Sequence, residues 1–519
     1  MKGSWFVLCG LQVALSPIVS AQGTANLLAA RVAADSDSSE RRVLIEVYGS
    51  RAYRPFWISD TTVKPAAMRL TTVLGHADED GLDPRRYALE SRTTGPDSAI
   101  ETELRLTRIL LAYARDVSAG RFRPGPRDSL WSAAPAPIRF SDLGRALDSL
   151  PLDTVLRRLA PPQRGYTGLR AALERYHSIA ERGGWDSLSN GPDLAPGARG
   201  IRVLDLRRRL AAEDDGDATE TADDRFDGAL ARRVLRFQAK HGLEADGIVG
   251  AATRAALNVP VEQRIRQIEL NLERWRWLPR RLGERYIMVN SAAFSLALVG
   301  HDTAVLTMRA IVGRVDWPTP IIISRVTNLI FHPSWDIPKK IVLAEVVPFV
   351  LRDTGYLARE RITVLRWTNG AWRPVDRHAV DWRALNDSSY SLRLVQAPGA
   401  TNPLGGVKFE FANRFGSYIH DTPQRSLFEQ RIRAFSHGCI RAERAAQLAR
   451  ILLADSAQWP RDSVDSAMRG PETRVVTLER GIPVYVSYWT AWVDPDGTLQ
   501  FRDDVYGWDT MLAGLVAGQ

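Results

Sequence analysis

Apolar positions recur every three or four residues through the first half of the chain and every second residue through much of the second. Between 42 and 182 the pattern predicts helices, with Leu104, Ile109, Leu110 and Ala114, and later Leu169, Ala172 and Leu173, at helical spacing. Gly81–Pro84, Gly120–Pro124 and Pro161-Pro162 punctuate it. The aromatic run Tyr53–Trp57 reads as core or interface packing. Residues 22 to about 40, rich in Ala, Ser and Asp with little periodicity, are expected to form a flexible leader. The Gly/Pro/Ser-rich stretch 187–200 reads as a linker. After it, Val203, Leu206 and Leu210 mark one helix, and Leu230, Val234, Leu235 and Phe237 a second that closes at His241-Gly242 with a glycine cap. Asp246–Gly250 makes a tight turn before a third short helix near Thr253, and the acidic insert 213–224 reads as a solvated loop. Residues 261–278 predict an amphipathic helix with Ile265, Ile268, Leu272 and Trp275 on one face.

Beyond Pro279 the period shortens. Tyr286–Asn290, Phe294–Leu298, Leu306–Ile311 and the isoleucines at 321–323 are short β-rich runs separated by turn residues. A charged, mixed segment occupies about 342–400, the strand pattern resumes at 402–411, and Ala442–Leu453 reads as a helix. Val484–Trp492 and Leu499–Phe501 predict two strands joined by a hairpin turn at Asp494–Gly497. A chain of 519 residues calls for two to four domains. The fold class expected is multidomain α+β, helical first and mainly β last.

Composition adds the compartment. Met1-Lys2, an apolar run from Trp5 to Val19 and the small residues Val19-Ser20-Ala21 make an export signal over 1–21, cut after Ala21. The competing reading, an uncleaved anchor, suits a run this short and interrupted by Gly10, Gln12 and Pro17 less well. No later stretch has the length and polarity of a transmembrane helix, so no stable membrane span is expected after cleavage. The net charge of +9 comes mostly from scattered arginines without a basic cluster or an interleaved aromatic motif, so no nucleic-acid partner is expected.

The chain holds two cysteines, Cys9 inside the signal and Cys439. Exported proteins use cysteine in disulfides, so a lone thiol points to reactivity. Cys439 stands in Ser436-His437-Gly438-Cys439-Ile440-Arg441, nineteen residues after the His420 of Tyr418-Ile-His420-Asp421. A neighbouring imidazole can take the thiol proton and return it to a leaving amine. His420, ending a strand-like run, suits the base; His437, two residues from the thiol, suits loop shaping or help with the acyl donor. Main-chain N–H groups around Gly438 and Cys439 are the natural oxyanion donors. Arg441 is read equally as a substrate-carboxylate ligand or a structural ion pair. One Cys and two His lack a fourth metal ligand, so neither metal nor organic cofactor is expected. A buried structural cysteine is the bland alternative, and it does not account for thiol, two histidines, glycine and arginine within twenty-two residues.

The runs Leu-Arg-x-Arg-Leu, Phe-Gln-Ala-Lys-His-Gly-Leu and Asp-Gly-Ile-Val-Gly in 201–258 resemble a three-helix peptidoglycan-binding module. His420, fifteen residues, then Ser436–Arg441 resembles the motif of the L,D-transpeptidases with a YkuD-type catalytic domain. The further runs at 311–320, 333–338, 402–411, 418–423 and 433–441 are similar to the large YcbB-type subgroup, with one departure, His332 where Asn is expected. The resemblance implies a helical scaffold over 42–186, the binding module at 201–258, and a catalytic domain over 284–510 with a capping subdomain at 342–400. It implies Cys439 as nucleophile and His420 as base, oriented by the Asp421 carbonyl, with His437 beside them. It also implies that Tyr418, Ser436, Gly438, Asp421 and Arg441 line the oxyanion and substrate sites. The partners implied are peptidoglycan stem peptides and glycan, with carbapenems as inhibitors, in the periplasm. The implied reaction joins third-position diamino acids through a thioester. Release to water (an L,D-carboxypeptidase), transfer to a lipoprotein lysine, and a non-catalytic wall-binding scaffold are the alternatives.

Overall fold

The computed structural model of the protein describes residues 21–59, 62–89, 99–124, 130–132, 139–213, 223–454, 459 and 463–518. The export signal up to Ser20, Cys9 and most of the acidic insert lie outside them. Among the described residues no helix is long and apolar enough to cross a membrane.

The first unit is helical, built on α1 (Ala21–Ala33), α2 (Ser38–Gly49), α3 (Ala99–Ala119) and α4 (Arg164–Glu181), with shorter helices between. The expected flexible leader is therefore a helix. Its Leu28 and Val32, one turn apart, are fully buried in the same core as Leu44, Val47, Leu104 and Leu110. Two apolar anchors were too few to show a period, and the alanines that looked featureless are strong helix formers. Asp37 caps α2 by accepting from the Ser39 and Glu40 amides at 2.8 and 3.1 Å. The Tyr53–Trp57 run is held from inside by buried Glu103, which accepts from the Phe56 and Trp57 amides at 2.7 and 2.8 Å and from the Tyr48 hydroxyl at 2.8 Å.

The second unit contains α5 (Ile201–Ala211), α6 (Gly228–Lys240) and α7 (Ala251–Leu257). Its α6 ends at His241, and Gly242 takes a φ of +63°, the left-handed cap that favours glycine. The stretch 187–200 is a strap on this unit, not a free linker. Leu188 and Leu194 enter its core, Leu188 N–H donates to Asn258 Oδ1 at 2.7 Å, and Leu194 bridges Val249. Glycine, proline and serine set the turns of the strap, while its two leucines supply the burial.

Then comes α8 (Val261–Arg276), which is expected to be amphipathic but is enclosed on nearly every side in its second half. Asn271, Glu273, Arg274 and Arg276 are all buried. Each arginine has buried partners: Arg274 pairs with Asp509 at 2.6 Å, and Arg276 with Glu273 at 2.9 Å and the Tyr166 hydroxyl at 3.1 Å. The apolar residues Ile268, Leu272 and Trp275 share one core with α4 and with Trp489 and Phe501 of the C-terminal unit. This helix is the strut on which the units are mounted.

The C-terminal unit is a β-barrel with an inserted cap. Its strands are β1 (Arg285–Asn290), β2 (Ser295–Gly300), β3 (Thr303–Gly313), β4 (Ile322–Phe331), β5 (Trp335–Ile337), β6 (Ile362–Thr368), β7 (Ala371–Pro374), β8 (Leu392–Gln396), β9 (Val407–Phe411), β10 (Ile419–His420), β11 (Ala434–Ser436), β12 (Ile440–Ala442) and β13 (Arg474–Ser487). The order is β11-β3-β12-β10-β9-β4-β13-β1-β2, and β2 pairs back onto β3, which closes the sheet. Closure leaves only the short β11 with a single partner and fixes the positions of the strands in the ring. The helix after the motif, α9 (Ala445–Leu453), packs Leu448, Ala449 and Leu452 onto the barrel core. The Asp494–Gly497 turn joins β14 (Ala491–Val493) to β15 (Leu499–Phe501), and α10 (Trp508–Ala517) follows. The insert forms a separate sheet, β5-β8-β6-β7, under which Val342, Leu357, Val364 and Leu394 make a core of their own. The cap therefore begins at Trp335, ahead of the expected 342, because β5 pairs with β8.

Candidate active site

Strands β10 and β12 run parallel, with Ile419 opposite Ile440 and His420 opposite Arg441. The Ile440 amide donates to the Tyr418 carbonyl at 3.0 Å, which extends the pairing to Tyr418 and Cys439. Alternate residues of a strand point to opposite faces. Ile419 and Ile440 accordingly turn into the barrel core, both fully buried. Tyr418, His420, Cys439 and Arg441 share the other face. Two short strands thus bring together four residues that are up to twenty-three apart in sequence.

The sulfur of Cys439 is met by the hydroxyl and the main-chain N–H of Tyr418, and both favour its charged form. Burial outweighs them and pushes the thiol above its ordinary value of 9.0. His420 is buried, and its Nδ1 lies 2.6 Å from the Asp421 carbonyl oxygen. A carbonyl can only accept, so Nδ1 carries the proton and Nε2 is the basic nitrogen. Burial first, then the charge of Arg441, lowers this imidazole to about 3, against the pull of the Asp421 and Pro403 carbonyls. Near neutral pH the pair therefore rests as thiol and neutral imidazole. The His420 ring sits edge-on to Tyr418, with centroids 5.5 Å apart.

The turn before the thiol is self-contained. Gly438 has a φ of +102°, a conformation that side chains rarely adopt. Ser436 Oγ accepts from the Gly438 amide at 3.2 Å and donates to the Cys439 carbonyl at 2.5 Å. Ser436 and the Gly438 amide, both expected at the oxyanion or substrate site, are thus spent inside the turn. The main-chain carbonyl of Asp421 meets His420 as expected, but its side chain departs from the expected oxyanion or substrate site. Its carboxylate accepts from the Gly406 amide at 2.9 Å and pairs with Arg425 at 3.1 Å, and an anion cannot stabilise an oxyanion. What Asp421 offers the site is its main-chain carbonyl. Arg441 takes neither the ion pair nor an open position. It donates to Gln424 Oε1 at 2.6 Å, and its buried Nε has no partner.

His437 points away from the shared face to the cap. Its Nε2 lies 2.6 Å from Glu345 Oε1, and its ring stands edge-on to Trp317 at 4.8 Å. Arg314 holds the same Glu345 oxygen at 3.1 Å. A second tie runs through Trp335 of β5, whose indole N–H donates to the Tyr418 hydroxyl. Lys408 lies over the Tyr418 ring at 4.4 Å. Sequence reading missed Trp335, Glu345 and Lys408. The Pro-Ser-Trp-Asp-Ile-Pro run was a visible signal for the first, and nothing marked Glu345 among the charges of the insert. No group of three or more metal-binding side chains occurs among the described residues.

These features define a class: a closed barrel that carries a thiol and an imidazole on one face of a parallel strand pair, under a cap wired to both strands. Comparison with known proteins agrees module by module. Residues 284–484 match the family described as L,D-transpeptidase catalytic domain (YkuD), 42–173 match the scaffold domain, and 199–257 match "Putative peptidoglycan binding domain". A protein of Haemophilus influenzae named "Putative L,D-transpeptidase" is 29% identical over 246 residues, 47% of this chain and 48% of that protein. The chain thus aligns with about half the length of this relative. Among solved structures, an L,D-transpeptidase of Stackebrandtia nassauensis is 13% identical, covering 58% of this chain and 95% of its own, with a TM-score of 0.22. One of Mycobacterium smegmatis is 13% identical, covering 39% of this chain and 58% of its own, with a TM-score of 0.20. At such scores the whole chains do not superpose. The chain thus carries a scaffold domain, a peptidoglycan-binding domain and a YkuD L,D-transpeptidase catalytic domain in one polypeptide, a YcbB-like architecture.

Proposed function

We propose that the protein forms crosslinks between third-position diamino acids of peptidoglycan stem peptides. Cys439 Sγ attacks the carbonyl of the diamino acid in a donor stem, and His420 Nε2 takes the thiol proton. The Tyr418 hydroxyl turns from the sulfur to the developing oxyanion. The tetrahedral intermediate collapses with loss of the terminal D-alanine, whose amine leaves with the proton from His420. The side-chain amine of a second stem then attacks the thioester, the C–S bond breaks, and the thiol is restored. A carbapenem would acylate the same sulfur through its strained lactam carbonyl.

The observation that carries this reading is the shared face of β10 and β12, where Tyr418, His420 and Cys439 converge although the chemistry is split between two strands. The substrate is part of the wall, so the site of action lies outside the cytoplasm, with the signal over 1–21 removed on export. The module at 201–258 would hold the enzyme on glycan. The test is incubation of the full chain with disaccharide-tetrapeptide, with product masses read beside those of Cys439→Ala. A dimer lacking one D-alanine, absent with the variant, is expected. Tripeptide alone would move the reaction to hydrolysis, and no cysteine-dependent product from folded protein would overturn the proposal.

A further inference from the structure

The cap sheet has two faces of opposite character. Ile362, Val364, Leu392 and Leu394 point into the cap core. The strand alternation and the pairings Asp336–Val395, Arg393–Leu365 and Trp367–Trp372 place those six residues on the other face. That face looks into a cleft of about 510 Å³ whose lining runs from Tyr418 and Lys408 through Asp336 and Arg393 to Trp372. Arg393 and Asp336 pair at 2.8 Å midway along it. Trp372 lines its far end, and Trp367 stands edge-on beside it with ring centroids 5.5 Å apart; the two are 39% and 56% exposed. They are the only exposed tryptophans among the described residues.

An edge hairpin that served only to finish a sheet would carry charge at these positions, because exposed aromatics on an edge invite aggregation. The cleft also has a length to match. Three strand spacings separate β5, which touches Tyr418, from β7, about 14 Å in all. A donor peptide whose third carbonyl lies at Cys439 has one residue to lose on its C-terminal side. Only its N-terminal side, two residues and then sugar at about 3.3 Å per residue, is long enough to reach the hairpin. A tryptophan face offers a flat apolar surface to the C–H face of a pyranose ring, with an N–H for a ring hydroxyl.

We infer that Trp367 and Trp372 form a saccharide platform, which binds the sugar ring carried at the N-terminal end of the donor peptide. This selects glycan-linked stems over free peptides. The inference rests on the proposed reaction for its substrate, so its test is a binding measurement that needs no turnover. With Cys439→Ala full-length protein, disaccharide-tetrapeptide should bind about tenfold more tightly than the same tetrapeptide without sugar. In Cys439→Ala/Trp367→Ala/Trp372→Ala the two ligands should bind within about twofold of each other, with affinity for the free tetrapeptide unchanged. Trp372→Phe should retain part of the preference. Equal binding of the two ligands by the parent protein would overturn the platform, and so would a preference that survives the double tryptophan substitution. Loss of self-association in the double variant, without a sugar preference in the parent, would overturn it in favour of an interface between copies. Failure of the proposed reaction shows separately, as absence of a thioester on the wild-type chain with either donor.

Discussion

The barrel and its cap sit on opposite sides of one cleft and are built to different rules. In the barrel the sheet is closed, the strand pair is flanked on both sides, and the polar atoms of the motif turn are satisfied within the turn itself. The cap has its own small core, an open sheet face and an exposed edge strand. It reaches the barrel loop through Trp335 to Tyr418 and Glu345 to His437. On the proposed reaction, chemistry that tolerates little displacement sits on the closed barrel, and recognition of the donor falls to the cap. The Trp335 tie makes the state of the cap felt at the thiol, since the Tyr418 hydroxyl touches both Trp335 and Cys439.

Substitutions in the barrel should act on the chemical step and substitutions in the cap on donor affinity. Cys439→Ala should abolish thioester formation, read by intact mass. His420→Ala should lower the acylation rate by about 10²- to 10⁴-fold with little change in donor affinity. Tyr418→Phe keeps the ring and removes the hydroxyl, so a loss of about 10²-fold in the acylation rate is expected from stopped-flow with a chromogenic lactam. Glu345→Ala cuts the cap tie and leaves the strand pair intact. It should weaken kcat/KM about tenfold, mainly through KM, while iodoacetamide labelling of Cys439 keeps its wild-type rate. An effect on kcat alone would erase the division between barrel and cap.

Stability should also separate the regions. His420 and His241 are both buried, and burial lowers both imidazoles below 6.5, the first to about 3. Below pH 6.5 the unfolded chain takes up protons that the folded chain refuses, so stability falls as pH falls. Each histidine contributes about 1.4 kcal/mol per pH unit in that window, down to its folded value. The melting temperature should therefore drop from pH 6.5 to 4, and His241→Gln should flatten part of the slope. The smallest effect is expected at His332, whose φ of +47° lies in the left-handed region. His332→Asn places there the residue that tolerates this conformation best, for a gain of about 0.5 kcal/mol in denaturant unfolding.

Much of this was legible in the sequence, for identifiable reasons. The motif residues lie on two strands whose period fixes which side chains share a face, so spacing carried Cys439, His420 and Tyr418 to one place. The same period could not say that Ser436 and the Gly438 amide would be consumed within their turn, or the Asp421 carboxylate by the Gly406 amide, because hydrogen-bond partners leave no spacing signal. The departure at His332 was visible, but its cause, a positive φ, is a property of the backbone. Residues 22–40 and 187–200 read as loose because composition hides a segment that owes its order to two buried aliphatic side chains, Leu28 and Val32 in the first and Leu188 and Leu194 in the second. The all-round burial of α8 escaped as well, since Arg274 and Arg276 look solvent-facing until Asp509 and Tyr166 arrive from distant parts of the chain.

The thiol of Cys439 and the imidazole of His420 both rest uncharged, and the pH dependence of Cys439 alkylation by iodoacetamide tests that most directly. Alkylation requires the thiolate. With the thiol raised above 9.0 and His420 lowered to about 3, the rate in folded wild-type protein should keep rising through pH 9 with no plateau near neutrality. A rate already at its maximum by pH 7, and lowered there by His420→Ala, would mean a resting thiolate–imidazolium pair and would contradict the account.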